Sequence, residues 1–151
     1  MKYFFIVLTV ILCGVSAKAQ SAEDSVKTVI NNMFTAMKNA DPVLLKKCFA
    51  DSMVLQTILV TKDGKTIVRN EAAAGFIDFI SKETAGNADE RITYDVVKVD
   101  GALAMAWTPY NFYYKGQFSH CGVNSFQLVR FNGEWKVQYI IDTRRKQGCK
   151  E

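Results

Sequence analysis

Three short glycine-ended turns, Asp100-Gly101, Lys115-Gly116 and Asn132-Gly133, interrupt the second half of the chain. Two-residue turns of this kind join neighbouring antiparallel strands and fix their register. The segments between them are rich in β-branched and aromatic residues: RITYDVVKV (91–99), ALAMAWTPYNFYY (102–114), QFSHCGVNSFQLVRF (117–131) and EWKVQYIIDTR (134–144). Together they predict a four-strand meander.

The period changes ahead of the meander. In residues 23–39, Val26, Val29, Ile30, Met33, Phe34 and Met37 recur at steps of three and one, the stripe of a single helical face. Ser21 before Glu23 and Asp24 is a start signal. Asp41-Pro42 starts a second short helix, with the aspartate as cap and the proline at the first position, running through Leu44, Leu45 and Cys48. SMVLQTILV (52–60) reads as a strand, KDGK (62–65) as a turn and TIVR (66–69) as the return strand of a hairpin. Residues 71–83 predict a third helix with Phe76, Ile77 and Ile80 inward, and 84–90 a loop. Helices first and strands after define an α+β class, an antiparallel sheet with helices on one face.

Residues 1–19 stand apart from this pattern. Residues 3–12 form an apolar run broken only by Thr9, short for a bilayer span. Ala17-Lys18-Ala19 has the small-x-small form of a signal-peptidase site, so cleavage after Ala19 is expected, with a periplasmic or secreted product. Cys13 offers a rival, lipoprotein-type processing just before that cysteine, although Leu12 is larger than such processing prefers. Residues 20–151 are then one domain. No further apolar run follows, so no membrane segment is expected after cleavage. The 17 basic and 15 acidic side chains that remain give a net charge of +2, too mild to suggest nucleic acid. Cys48, Cys121 and Cys149 also remain, an odd number, so at least one stays free or pairs outside the chain. A Cys121–Cys149 disulfide fastening the C-terminus beyond Gly148 is one option, with Cys48 a buried thiol. Neither the cysteine spacing nor the lone His120 supplies a metal site, and no cofactor is expected.

Extending register from the turns places Trp107 opposite Asn124, Asn124 opposite Ile141, and Asn111 opposite His120. One face then holds Ile92, Tyr94, Val96, Met105, Trp107, Phe118, Phe126, Leu128, Trp135, Val137, Tyr139 and Ile141, and with them His120 and Asn124. Asp95 and Asp142 fall on the other face. Gly122 and Pro109, lying between the polar rows, suggest a bulge or bend. Glu90 joins the His120 row if the first strand extends that far.

Helix–helix–hairpin–helix followed by this meander resembles the nuclear transport factor 2-like superfamily, also called cystatin-like, over nearly all of residues 20–151. WTPYNFYYKGQFSHCGVNSFQLVRFNGEWKVQYIIDTRR (107–145) is similar to its small exported bacterial branch of nuclear transport factor 2 family or lumazine-binding-like proteins. The resemblance implies a cone-shaped, curved antiparallel sheet with about three N-terminal helices packed on its concave face. It implies a cavity between the two layers, and often a homodimer through the outer side of the sheet. Members range from isomerases, dehydratases and cyclases to binding domains, so the fold alone does not give function. The isomerase pattern needs an inward acid base and the dehydratase pattern a pair of histidines, and neither is matched here.

The first functional expectation is an exported small-molecule-binding protein whose cavity is lined by Tyr94, Trp107, Asn111, His120, Asn124 and Tyr139. The second is an isomerase, dehydratase or cyclase with His120 as general base and Asn111 or Asn124 holding an oxyanion. The third is a dimerising interaction domain without ligand. Plainer roles stand beside each: His120 a rim residue held by its neighbours, the asparagines satisfied internally, and the aromatic residues ordinary core.

Overall fold

The computed structural model describes residues 21–149. The expected signal peptide with its cleavage site, and Cys13, lie outside the described residues. The elements run α1 (Ala22–Asn39), α2 (Pro42–Cys48), β1 (Phe49–Val60), β2 (Thr66–Glu71), α3 (Ala73–Ser81), β3 (Ala88–Ile92), β4 (Val96–Asp100), β5 (Leu103–Tyr114), β6 (Gln117–Phe131) and β7 (Glu134–Thr143).

Capping follows the local sequence. Ser21 Oγ accepts a hydrogen bond from the Asp24 amide at 3.0 Å and starts α1. Ala40 ends it in the left-handed conformation, φ 54°. Asp41 Oδ1 then accepts from the amides of Val43 and Leu44, with Pro42 in the first turn of α2.

The sheet is curved and mixed, in the order β2-β1-β7-β6-β5-β3, with β4 pairing the other half of β5. All neighbours are antiparallel except β1 and β7, which run parallel, a pairing that the turns of the meander do not specify. The helices close over one face. Val26, Ile30, Met33 and Phe34 of α1 join Leu45, Phe126, Leu128, Val137 and Ile140 in a continuous core. Phe34 meets Phe126 edge to face at 6.1 Å.

Two of the three turns have their expected residues. Lys115 and Gly116, and Asn132 and Gly133, all have positive φ, as a type I′ turn demands. In the other, Asp100 pairs with Leu103, so Gly101 and Ala102 form the loop and the register moves by two. The expected strand 91–99 is two strands, β3 and β4, broken at Thr93–Asp95, and β3 begins at Ala88 within the expected loop.

Two single-residue bulges correct the register. Tyr113 pairs with Phe118 but Phe112 with His120, so Ser119 is an extra residue. Leu128 pairs with Val137 but Gln127 with Tyr139, so Gln138 is another. A one-residue slip turns a strand over. The even residues of β5, Ala104, Ala106, Thr108 and Tyr110, are therefore the buried ones. Trp107 lies on the outer face, 43% exposed, with Val96, Leu103 and Phe118 also exposed. In β7 the inward set changes from Trp135 and Val137 to Ile140 and Asp142.

Gly122, in the region expected to bend, serves close approach. A β-carbon there would lie 1.7 Å from the Thr143 carbonyl oxygen and 2.8 Å from the Tyr110 ring. The tyrosine fills the space that glycine leaves, and its hydroxyl donates to that same carbonyl at 2.9 Å. The Thr143 backbone is held in place by its pairing with Ile58 of β1 and by the flanking Asn124–Asp142 and Cys121–Arg145 pairs. We therefore expect Gly122→Ala to lower unfolding stability by about 3 kcal/mol in urea denaturation. An unchanged midpoint would show that the strands separate there at little cost.

Candidate functional site

The bulges bring a polar row onto the inner face. Thr108, Asn124, Asp142 and Thr57 are successive cross-strand partners on β5, β6, β7 and β1, and all four are buried. Above this row lies a cavity of about 630 Å³ between the sheet, α1 and α3. Met33, Phe34 and Met37 supply the α1 wall, and Gly75, Phe76 and Phe79 the α3 wall. The half-exposed Phe79 and the partly exposed Arg144 mark its mouth. The sheet contributes the polar end: Glu90, His120, Asn124, Asp142 and Arg144.

Asn124 Nδ2 donates to Glu90 Oε1 at 2.8 Å. Asp142 Oδ2 accepts from Arg144 Nε at 2.9 Å, and the Tyr110 hydroxyl lies 3.1 Å from the same oxygen. That hydroxyl has one proton to share between Asp142 and the Thr143 carbonyl. Arg144 also donates to Thr57 Oγ1 at 3.0 Å. Asp142 Oδ1 and Thr108 Oγ1 are buried without a hydrogen-bond partner among the described residues.

Electrostatics divide the roles. Burial pushes the Glu90 carboxyl from 4.5 up to about 7; the Asn124 hydrogen bond opposes the rise and the Asp142 charge adds to it. Glu90 is partly exposed and faces the cavity, where solvent tempers the rise. Burial likewise lowers His120 below the usual imidazole value, helped by the Arg144 charge and opposed by Asp142, so its neutral form is favoured. Burial works against the Arg144 cation, but its hydrogen bond to Asp142 and that residue's charge outweigh it and raise the pKa. Burial, with the Glu90 and Asp142 charges next, holds Tyr110 protonated.

The structure brings together only part of the expected site. His120 and Asn124 face the cavity, and Glu90 does join them. Trp107 and Asn111 turn outward because of the Ser119 bulge; Asn111 pairs with Cys121 on the outer side. Tyr139 turns outward through the Gln138 bulge, and its hydroxyl donates to Gln56 Oε1 at 2.6 Å. Tyr94 lies in the β3–β4 break and packs on the core; its hydroxyl meets the Lys27 carbonyl and Asn31 Oδ1 of α1. Asp142, expected outside, is inward, and the expected Asn124–Ile141 pairing is Asn124–Asp142. The inward carboxylates are thus Glu90, expected in the His120 row if the first strand extended that far, and Asp142, expected on the other face. Sequence reasoning also missed Tyr110 and Arg144.

His120 Nδ1 lies 3.0 Å from Ser119 Oγ, and the ring stands against Tyr110 and Phe112. Cys121, on the opposite side of the strand, forms a disulfide with Cys149, and its backbone exchanges two hydrogen bonds with Arg145. Cys48 is a free, buried thiol whose pKa burial raises to about 11, which favours the protonated thiol. Among the described residues no cluster of three metal-ligating side chains occurs.

The Glu90 shift has a measurable sign. Its folded pKa exceeds its ordinary value, so the folded state holds an extra proton between about pH 4.5 and 7. Stability falls as pH rises through that window. Replacing Glu90 by Gln keeps the acceptor for Asn124 and removes the charge. We expect E90Q to be more stable than the parent by about 2 kcal/mol near pH 8, a figure reduced for cavity solvent, and indistinguishable from it near pH 4. Parallel stability profiles for the two proteins would refute the shift.

No protein-family model matches this chain, and no curated protein sequence is similar to it. Solved structures are similar. A nuclear transport factor 2-like protein of unknown function from Shewanella baltica superposes with a TM-score of 0.64 at 16% identity, over 82% of this chain and 93% of that one. A cystatin-like domain of unknown function from Nostoc punctiforme gives 0.63 at 14% identity, over 86% and 82%. A nuclear transport factor 2-like protein from Cytophaga hutchinsonii gives 0.61 at 15%, over 83% and 99%. The chain therefore has the nuclear transport factor 2-like, cystatin-like fold.

Proposed function

We propose that this protein binds a small molecule with an apolar body and a polar end, and does so as an exported protein. The observation that carries the reading is the cavity itself. The core around it is tightly closed, with Val26, Ile30, Phe126 and Leu128 fully buried, yet about 630 Å³ beside them stays unfilled. That volume lies within the roughly 300–1,000 Å³ typical of small-molecule sites. Aromatic and methionine side chains line one end and placed polar groups the other, the usual division between affinity and orientation. An interaction domain needs no such void, so the ligand-free reading ranks below this one.

A proton-transfer enzyme is the second reading, favoured by Glu90. A carboxyl that titrates near neutrality can take a proton and return it at physiological pH. Glu90 is better placed for this than His120, whose one side-chain hydrogen bond among the described residues is to Ser119. Asp142, fixed by Arg144 and close to Tyr110, would hold the charge distribution while Glu90 changes state.

Native mass spectrometry of the protein from its own host, followed by analysis of released small molecules, tests the binding reading. Gly75 supplies the control: it lines the cavity, and a β-carbon there meets nothing within 4 Å. Gly75→Leu should fill part of the void from α3, keep the fold and weaken binding about ten-fold or more. Undiminished ligand in G75L would place the ligand elsewhere. For the enzyme reading, E90Q should retain the ligand and lose turnover by about a hundred-fold or more. Full turnover in E90Q would remove Glu90 from the chemistry.

A further inference from the structure

The end of the chain is fastened behind the cavity wall that Arg144 helps to build. β7 stops at Thr143, and beyond it the backbone keeps one pairing, Cys121 with Arg145, each amide donating to the other's carbonyl at 2.9 Å. Residues 145–148 are exposed. Gly148, at φ 65°, turns the chain back, and Cys149 reaches Cys121 in a disulfide. Cys121 lies on the outer side of the sheet, opposite Arg145, while their sequence neighbours His120 and Arg144 line the cavity. The fastening is thus one residue from the cavity wall on either strand.

Among the described residues little else holds this strap. An isolated backbone pair at a chain end frays unless it is tied down. Arg144, Arg145 and Lys146 are three cations in succession, and their repulsion favours release to solvent. Arg144 is drawn inward by Asp142 at 2.9 Å, by Thr57 at 3.0 Å and by the charge of Glu71. Its side chain is 34% exposed, so water competes for both bonds. Cys149 is partly exposed and Cys121 is 2% exposed, so an incoming thiolate meets the sulfur at the chain end.

Whatever the cavity holds, we propose that the Cys121–Cys149 disulfide is a redox latch on the cavity mouth. Closed, it keeps residues 144–149 against β6 with Arg144 at the mouth; opened by a dithiol, it frees that strap and loosens the mouth. A thiolate of the dithiol attacks Cys149 Sγ, the S–S bond breaks, and Cys121 leaves as a thiolate that takes up a proton. The second thiolate of the dithiol then displaces Cys149, which is protonated in turn. Two electrons and two protons pass to the protein, and the dithiol becomes a disulfide. Exchange with an oxidised dithiol reverses the sequence.

His120 reports on the mouth, because as the only histidine in the chain it gives a single set of imidazole signals in NMR. Burial lowers its pKa, the Arg144 and Lys146 charges add to that, and Asp142 opposes it; the rings of Tyr110 and Phe112 pack against it. Loss of the strap removes both cations and admits water. The His120 pKa should therefore rise toward the ordinary imidazole value on treatment with dithiothreitol, and in C149S without it. Hydrogen exchange at the Cys121 and Arg145 amides should quicken about ten-fold or more, with the β5–β6 ladder about Ala106 and Phe126 unchanged. Reoxidation of the parent should restore both readings. An unchanged His120 titration, or unchanged exchange at those two amides, would show the strap staying in place without the bond and overturns the proposal. Loss of protection at Ala106 and Phe126 as well makes the disulfide a staple of the whole fold and overturns it too. The parent, read before and after dithiothreitol, carries the test if C149S does not fold.

Discussion

Backbone register across β5, β6 and β7 governs nearly everything else in this molecule. The hydrogen-bond ladder admits side chains to a face at every second residue, so one extra residue changes the content of the interior. Ser119 and Gln138 are those extra residues. Without them, Trp107, Asn111 and Tyr139 would point under the helices and Asp142 would meet solvent. With them, the inner face has small residues where α1 packs and carboxylates where the cavity opens. Each bulge residue is tied down: Ser119 by His120, and Gln138 by both the carbonyl and the hydroxyl of Ser52.

The cost of that arrangement is concentrated in one row. Thr57, Asp142, Asn124 and Thr108 are buried polar residues spanning four strands. Hydrophobic replacements of similar size would serve folding as well or better, since buried ion pairs recover little beyond their desolvation. The Asp142–Arg144 pair, with Tyr110 close by and Thr57 behind it, is satisfied on one oxygen, while the other is buried without a hydrogen bond among the described residues. A polar row held in this way is preorganised: the fold itself fixes its charges.

Much of the fold was legible. Caps, helical stripe, hairpin and meander all follow from local chemistry at Ser21, Asp41-Pro42, Lys115-Gly116 and Asn132-Gly133. Facing was less so. Bulky Met105 and Trp107 argued for an odd inward set in β5, while the true interior uses the small residues Ala104, Ala106 and Thr108. Ser119 and Gln138 look like ordinary strand residues, and only pairing with neighbours identifies them as extra. Glu90 sits in Ala-Asp-Glu, a triplet with weak strand preference, ordered by its pairing with β5. Gly122 was the available clue. A glycine in a strand is often covered by an aromatic partner, which would have turned Tyr110 inward and, with it, every even residue of β5.

The break at Thr93–Asp95 also shapes how the molecule meets its neighbours in a crowded solution. β3 and β4 share one side of β5 and are five residues each, with no continuous ladder between them. An incoming extended chain would find two short, misaligned stretches of free amide and carbonyl groups rather than one long template. A strand edge interrupted in this way resists recruitment into intermolecular sheets, the route by which exposed β-proteins aggregate. The kink that anchors Tyr94 to α1 therefore also shortens the template that this edge of the sheet presents.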